Sequence, residues 1–510
     1  MTVTETITHV PMLIDGVDIS ADERITVINP KNGEPVATIP RGDVSHVDAA
    51  VAAARLSYES GVWANATAAH RIEVIRRLAQ LVGDHLDELV DLETLGNGAT
   101  VRQATGFHIG YVAPHMEYFT DLATRFDSEV PGPRTSFPSL GQASVRREPI
   151  GVVAVIAPFN FPLLLASWKI VPALLTGNSV VVKPDERTSL AILRFAQLAL
   201  EAGLPDGVLN VVTGTGEEVG VPLASHPDVG KVGFTGSTAV GKQIMRLAAD
   251  TVKSVTLELG GKSPALVLPD ADLDLAADGL LYGGLLYSGQ VCESMTRLLV
   301  HESIHDEFVD RLVKRASTIV VGQPDDWDTD LGPVISQESR DRILDYINGA
   351  VADGATVAFG GKVPEGEEFS QGFWVEPTIL TDVRPEMRVA REEIFGPVLS
   401  VLRYSTVEEA IEIANNTDYG LAASVWTSDN DTALSVAARI RAGSVWINDA
   451  HQINAAVPFG GYKQSGLGRE LGPDALAAFV ETKAIHLDLS GRRDARPYDV
   501  LLSHADEETS

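Results

Sequence analysis

Between Ser179 and Ala248 the chain alternates strand and helix signals three times, joined by turns of a few residues, and few folds accommodate that pattern. A strand predicted over Ser179–Val182 leads through Lys183-Pro184-Asp185-Glu186 into a helix predicted over Ser189–Ala202, which Gly203-Leu204-Pro205 stops. A second strand, Val208–Val212, enters the turn Thr213-Gly214-Thr215-Gly216 and a second helix. A third, Lys231–Phe234, enters Thr235-Gly236-Ser237-Thr238 and a helix in which Val240, Ile244, Leu247 and Ala248 are predicted to share one face. Crossovers of this kind are right-handed, so the expected product is a parallel sheet flanked by helices, of the type that binds dinucleotides.

The rest of the chain is organised around that unit. At 510 residues, with 45% hydrophobic and 22% charged content, it exceeds what one domain ordinarily holds. The stretch before about Phe126 reads mainly as helix, with amphipathic periods over Val44–Ser57 and Ala68–Val90. From Ser128 to Arg147 short β-prone pieces rich in Pro and Ser suit a projecting arm or hairpin, and Lys483–Leu489 alternates like a strand able to pair with it. Such exposed edges are ordinarily covered, here by another subunit. The longest apolar tract, Gly151–Lys183, is broken by Pro158, Pro162 and Pro172 and holds Asn160 and Lys169, so it reads as core and not as a membrane span.

Charge and termini narrow the classes further. A formal net charge of −30 argues against nucleic acid as a partner, since phosphate binding needs clustered Lys and Arg. Solubility accounts for such acidity, and so does a saline habitat. The start, Met1–Val10, has neither a basic n-region nor an apolar core, so a cytoplasmic protein is expected. Acidic disorder is expected only over Ala505–Ser510. Clusters of His, Cys and acidic residues at metal-ligand spacing are missing, and no metal is proposed.

The glycines alone specify little. Gly214-x-Gly216-x-x-x-Gly220 departs from the G-x-G-x-x-G spacing, and tight turns use glycine for conformational reasons. Thr235-Gly236-Ser237 at a helix start offers donors at the positive end of a helix dipole, a favourable place for a pyrophosphate, although Ser237 serves equally as an ordinary N-cap. The one cysteine, Cys292, lies in Tyr287-Ser288-Gly289-Gln290-Val291-Cys292-Glu293-Ser294-Met295-Thr296-Arg297 and has no internal disulfide partner. A free cysteine is ordinarily a small buried hydrophobe. A reactive one must be reachable and suitably surrounded.

The surrounding motifs are similar to those of the aldehyde dehydrogenase superfamily: Pro158-Phe159-Asn160-Phe161-Pro162, Lys183-Pro184-Asp185-Glu186, Phe234-Thr235-Gly236-Ser237, Glu258-Leu259-Gly260-Gly261-Lys262, Gly289-Gln290-Val291-Cys292, Glu392-Glu393-Ile394-Phe395-Gly396-Pro397 and Pro458-Phe459-Gly460-Gly461-Tyr462-Lys463. The resemblance implies that Cys292 is the nucleophile. An aldehyde does not release hydride readily, whereas its tetrahedral thiolate adduct carries an oxyanion that expels hydride as it collapses to a thioester. It further implies oxyanion donors from the Asn160 side chain and the Cys292 N–H, Glu258 as the base that activates the hydrolytic water, and Lys169 and Glu470 in a proton relay. Taken alone, Asn160 would be a turn residue and Glu258 a solvated charge.

For the cofactor, the resemblance assigns Lys183 and Glu186 to the adenosine ribose and Glu393 to the nicotinamide ribose with Phe395 beside it. Gly216, Gly220, Phe234 and Ser237 complete the binding set. A carboxylate at Glu186 accepts from a 2′-hydroxyl and repels a 2′-phosphate, so NAD is expected, with NADP as the alternative. Phe159, where tryptophan is usual, makes the motif similar to benzaldehyde- and vanillin-type dehydrogenases. An aromatic aldehyde is therefore expected, in a tunnel lined by Phe161, Trp168, Phe459 and Tyr462, with Arg297 as the one candidate for a substrate carboxylate. The alternatives are a semialdehyde or aliphatic aldehyde dehydrogenase, a cysteine-dependent hydrolase or acyltransferase, and a silent binding protein on the same scaffold.

The fold class implied is α/β: a Rossmann-like cofactor domain from residues 1–125 and 150–257, an α/β catalytic domain from 258–455, and a small β oligomerisation arm from 126–149 and 470–495. A homodimer or homotetramer acting on a small-molecule aldehyde follows by the same resemblance. The physiological aldehyde, the NAD to NADP ratio and the choice between dimer and tetramer are not written in the sequence.

Overall fold

The computed structural model describes residues 8–502; residues 1–7 of the leader reading and the acidic end Ala505–Ser510 lie outside the described residues. Its first sheet has eight strands, five of them parallel: β1 (Val152–Ile156), β2 (Ser179–Lys183), β3 (Leu209–Val211), β4 (Lys231–Thr235) and β5 (Ser254–Glu258). They lie side by side as β5-β4-β1-β2-β3. The order reverses direction between β1 and β4, and the loops leaving those two strands therefore diverge around a crevice at the carboxyl ends of the sheet.

Helix α1 (Pro162–Leu175) follows β1, α2 (Leu190–Glu201) follows β2 and α3 (Thr238–Ala249) follows β4. Pro162 opens α1, where its missing N–H costs nothing, and every residue of α1 is buried, which is why its sequence is apolar on all sides apart from Ser167 and Lys169. In α3 the buried face is Gly241, Ile244 and Ala248, while Val240 is 42% exposed and does not join it. A full helix after β3 does not form. A π-turn over Gly216–Gly220 runs into a single short helix, Val221–Ser225.

The mainly helical reading of the first 125 residues fails over the first forty, which form five short strands between Thr8 and Pro40. Met12–Ile14 and Val17–Ile19 pair as a hairpin through Asp15-Gly16, both at positive φ, and extend the first sheet beyond β3. Strands of two to six residues are too short to display a period, but Asp-Gly between apolar pieces is a strong hairpin signal. Val44–Ser60 is one helix, whereas the Ala68–Val90 period covers two, Ala68–Asp84 and Leu86–Asn97, parted at His85.

A second, seven-stranded sheet runs from Ser263–Val267 to Ser444–Ile447, parallel except for its edge strand Thr356–Phe359. A third, three-stranded sheet pairs Gly141–Pro149 with Glu129–Thr135 on one side and with Val480–Asp488 on the other. No helix among the described residues is long and apolar enough to cross a membrane.

Candidate active site

Glu258 ends β5, and only Leu259–Lys262 separate it from Ser263, the first residue of the second sheet. The carboxyl ends of the first sheet thus face the amino ends of the second, and the segment carrying Cys292 precedes the strand Met295–His301 at that junction. A Cβ on Gly261 would overlap the Cys292 carbonyl, so the glycine pair is what lets the two segments touch.

The approach to Cys292 is held in an unusual backbone conformation. Tyr287 and Ser288 are left-handed at φ 48° and 53°, followed by Gly289 at φ 68°, where a Cβ would overlap the Gly396 carbonyl. Such backbone persists where its surroundings fix it. Here Tyr287 Oη donates to Asn97 O at 2.7 Å, Ser288 Oγ to Gly332 O at 2.7 Å, and Ile335 N to Gln290 Oε1 at 2.9 Å.

Cys292 is half-buried. Asn160, in the loop after β1, donates from Nδ2 to Gln290 O at 3.0 Å, which ties its side chain to the cysteine segment and leaves one amide N–H unused. Glu258 is buried, and neither of its oxygens has a hydrogen-bond partner among the described residues. Burial, reinforced by the charge of Glu470, pushes its carboxyl well above the ordinary range. Burial and then the neighbouring Glu293 likewise push the Cys292 thiol well up.

Lys169 and Glu470, distant in sequence, form a buried ion pair at 2.7 Å, and Lys169 Nζ also donates to Thr235 Oγ1 at 2.6 Å. Glu470 bridges Phe459, and a Cβ on the adjacent Gly460 would run into the Glu258 carboxylate. Sequence reasoning named Thr235 only in the pyrophosphate turn and did not single out Glu293 or His451. Cys292 Sγ lies 3.0 Å from Glu293 Oε2, and Glu293 Oε1 lies 3.2 Å from His451 Nδ1. Burial works against the Glu293 charge, but the hydrogen bond and field of His451, together with the contact to Cys292 and a backbone hydrogen bond, hold Glu293 below its ordinary value. An acid next to the lone cysteine was the available signal for Glu293; nothing local marks His451.

The residues expected to hold a dinucleotide lie at or past the carboxyl ends of β2, β3 and β4, with Glu393 and Phe395 reaching in from the segment before the second-sheet strand Val398–Tyr404. Lys183, the last residue of β2, and Glu186, three residues on, pair at 3.0 Å. Ser237 caps α3 by accepting from Val240 N, and the Phe234 ring packs over the Gly236 turn. A Cβ on Gly216 or Gly220 would meet nothing within 4 Å, but only Gly216 is exposed to an approaching ligand, Gly220 being buried. Glu393 accepts from Gly261 N at 3.0 Å, and burial pushes its carboxyl up to about 7. Phe395, at φ 55°, meets Phe159 edge to face at 5.5 Å, and Arg187 stacks over Phe159. An open glycine turn, a helix N-terminus and ribose-seeking carboxylates on one crevice fit a dinucleotide.

Beside the junction is a cavity of about 1020 Å³ lined by Tyr111, His115, Tyr118, Trp446, Ile453 and Phe459, among others, with no Lys, Arg, Asp or Glu in its wall. Trp168 stands behind Phe459 at 5.5 Å and donates to His115 Nδ1 at 2.8 Å. Phe161 packs on His108 and Tyr287, and Tyr462 is 45% exposed beneath Arg469. Arg297 is fully buried, donating to the carbonyls of Lys262, Ile413 and Ala414, and is not available to a substrate carboxylate.

Comparison with known proteins agrees with this geometry. A family model described as the aldehyde dehydrogenase family matches residues 17–485. A betaine aldehyde dehydrogenase of Bacillus subtilis (strain 168) is 43% identical over 477 residues, 93% of this chain and 96% of its own. The peroxisomal aminoaldehyde dehydrogenase 2 of Pisum sativum is 43% identical over 91% of this chain and 92% of its own. Among solved structures, betaine aldehyde dehydrogenase from Staphylococcus aureus in complex with NAD+ aligns with a TM-score of 0.92 at 40% identity, covering 94% of this chain and 95% of its own. The NAD+ complex of an aldehyde dehydrogenase from Bacillus cereus aligns at 0.91 and 42% identity, covering 94% and 97%. None of these four is named for an aromatic aldehyde.

Proposed function

The chain belongs to the aldehyde dehydrogenase family, and from that premise we propose that it oxidises an aldehyde bearing an ammonium group to the carboxylic acid, with NAD as the acceptor. The observation that carries the substrate class is the cavity wall, which has aromatic side chains at Tyr111, Tyr118, Trp446 and Phe459 and no Lys or Arg. Aromatic faces attract a cation, each such contact being worth about 0.5–2 kcal/mol, whereas a carboxylate would be desolvated there without a partner. The betaine- and aminoaldehyde dehydrogenases among its relatives support the same class. The ammonium aldehyde is preferred to the aromatic aldehyde expected from the Phe159 variant, since the relatives named for a substrate are betaine- and aminoaldehyde dehydrogenases.

In the reaction, Cys292 adds to the aldehyde carbon, and the free N–H of the Asn160 amide holds the oxyanion of the resulting adduct. Bound NAD supplies the ring that accepts hydride. Lys183, Glu186, Gly216, Gly220, Phe234, Ser237, Glu393 and Phe395 are assigned to holding it. Glu258 takes a proton from the water that attacks the thioester, and the Lys169–Glu470 pair passes that proton away. Glu258 works only once its carboxyl is ionised, which Lys169 beside Glu470 assists. The cofactor part (1–125 and 150–257), the catalytic part (258–455) and an oligomerising arm (126–149 and 470–495) remain the proposed division, with a homodimer or homotetramer covering the arm's exposed Ile485 and Leu487.

Steady-state turnover of betaine aldehyde, 4-aminobutanal, benzaldehyde and succinate semialdehyde with NAD and with NADP tests this. The ammonium aldehydes should exceed benzaldehyde at least about tenfold in kcat/KM, a difference of 1.4 kcal/mol or more and within reach of cation–π contacts. Benzaldehyde turning over as well as or better than both would refute the ammonium assignment, and no aldehyde oxidation at all would refute the function.

A further inference from the structure

We propose that Glu293, oriented by His451, is the base that removes the proton from Cys292 as the sulfur attacks, a task separate from that of Glu258 at the water. This deepens the reading above and rests on it for the aldehyde. The geometry is direct: Glu293 Oε2 is 3.0 Å from Sγ, within reach for proton transfer, and Oε1 is 3.2 Å from His451 Nδ1. Nucleophile, acceptor and orienting ring form a chain of three side chains, two of them adjacent in sequence and the third 158 residues away.

Both Glu293 and His451 are buried, so the contact is not a passing surface pair. His451 is placed by a left-handed backbone at φ 57° just past the strand Ser444–Ile447, and its ring meets Tyr282 edge to face at 5.3 Å. The charges acting on the thiol are acidic, Glu293 in contact with it and Glu258 and Glu393 through their fields. Those facing Glu293 are Cys292, His451, Glu258 and Tyr282. In such company burial and the surrounding carboxylates push the thiol up, and burial pushes Glu258 up, whereas His451 helps hold Glu293 down, and of these carboxylates Glu293 is the one with an oxygen at 3.0 Å from Sγ. Glu293 is therefore the acceptor in place when the aldehyde arrives.

The step balances without an oxidant. The proton moves from Sγ to Glu293 Oε2, the S–H electron pair becomes the S–C bond, and the carbonyl π pair moves to the oxygen held by Asn160. When the thioester is hydrolysed, the S–C pair returns to sulfur and Glu293 returns the proton. His451 touches neither sulfur nor substrate and is a positioning residue.

The test is the rate of Cys292 alkylation by iodoacetamide from pH 6 to 10, with no aldehyde or nucleotide present, in the full-length wild type, E293Q and H451Q. With Glu293 as base, the wild type shows a pH-independent rate between about pH 6 and 8, because the acceptor is ionised throughout. E293Q then rises about tenfold per pH unit and at pH 6 is at least about tenfold slower than wild type. H451Q keeps the plateau height within about threefold but moves its acidic edge upward, as Glu293 loses the partner that lowers its pKa. A wild-type rate already rising tenfold per pH unit, or an E293Q rate equal to or faster than wild type at pH 6, would overturn the proposal. The first of these outcomes decides the matter even if E293Q does not fold. The aldehyde panel above answers separately whether the protein is a dehydrogenase.

Discussion

Removing the amide of Asn160 should cost rate far more than it costs binding. Its Nδ2 makes one hydrogen bond, to Gln290 O at 3.0 Å, and the second N–H has no other assignment than an oxygen bound to carbon at Cys292. Loss of one such donor costs about 3 kcal/mol of transition-state stabilisation, roughly 150-fold in rate. An oxyanion forms twice, in the attack of sulfur and again in the attack of water, so the hydride burst and the steady-state kcat of Asn160→Ala should both fall by about that factor while KM changes little. The same change orphans the buried Gln290 carbonyl, at about 1–3 kcal/mol of stability. Asn160→Asp separates the two effects: it keeps the size of the side chain but sets a carboxylate against the oxyanion and the Gln290 carbonyl, so it should be slower than the alanine variant. Stopped-flow reduction of NAD with 4-aminobutanal measures the burst. A burst rate in Asn160→Ala within about threefold of wild type would refute an oxyanion role for this side chain.

Three further outcomes are expected. Glu258→Gln should release one equivalent of NADH per active site and then stall, with steady-state kcat down about 10²–10⁴-fold, because acylation proceeds while the water lacks its base; a steady rate without a burst would count against this. Lys169→Met leaves Glu470 charged, buried and unpaired, and should cost about 3–5 kcal/mol by urea denaturation, most of which the double variant Lys169→Met/Glu470→Gln recovers; a double variant no more stable than the single would count against the pairing. His115 accepts from Trp168, which requires a neutral ring, and burial lowers its pKa from 6.5 to about 4. The unfolded chain therefore binds the extra proton first, so stability falls as pH drops from about 6.5 toward 4, by up to about 3 kcal/mol from this residue. His115→Gln should flatten that slope in urea midpoints taken at pH 7.5 and 5, and an unchanged slope would place its origin elsewhere.

Much of this protein is legible from local sequence because its key residues sit where local rules act. The alternation from Ser179 to Ala248 announces the parallel sheet, and Ser237 marks a helix start by capping. The misses have equally local reasons. The strands before Pro40 are too short for a period, and Val240 satisfies a helical period that the packing of Gly241, Ile244 and Ala248 does not use. Arg297, next to the cysteine segment in sequence, is spent on three backbone carbonyls, and the wall around Phe459 is completed by Tyr111, Tyr118 and Trp446 from segments no motif connects.

The sequence by itself determined the kind of chemistry, because a single thiol, an amide and a carboxylate set in ordered glycine and proline motifs are chosen by what the reaction needs. Only the tertiary structure decided which groups meet. Glu293 with His451 and Lys169 with Glu470 become partners when β5 hands the chain from one sheet to the next and opposes the carboxyl ends of the first to the amino ends of the second. Proton transfer acts over about 3 Å, and a separation of 158 or 301 residues along a chain says nothing about distance until the sheets close.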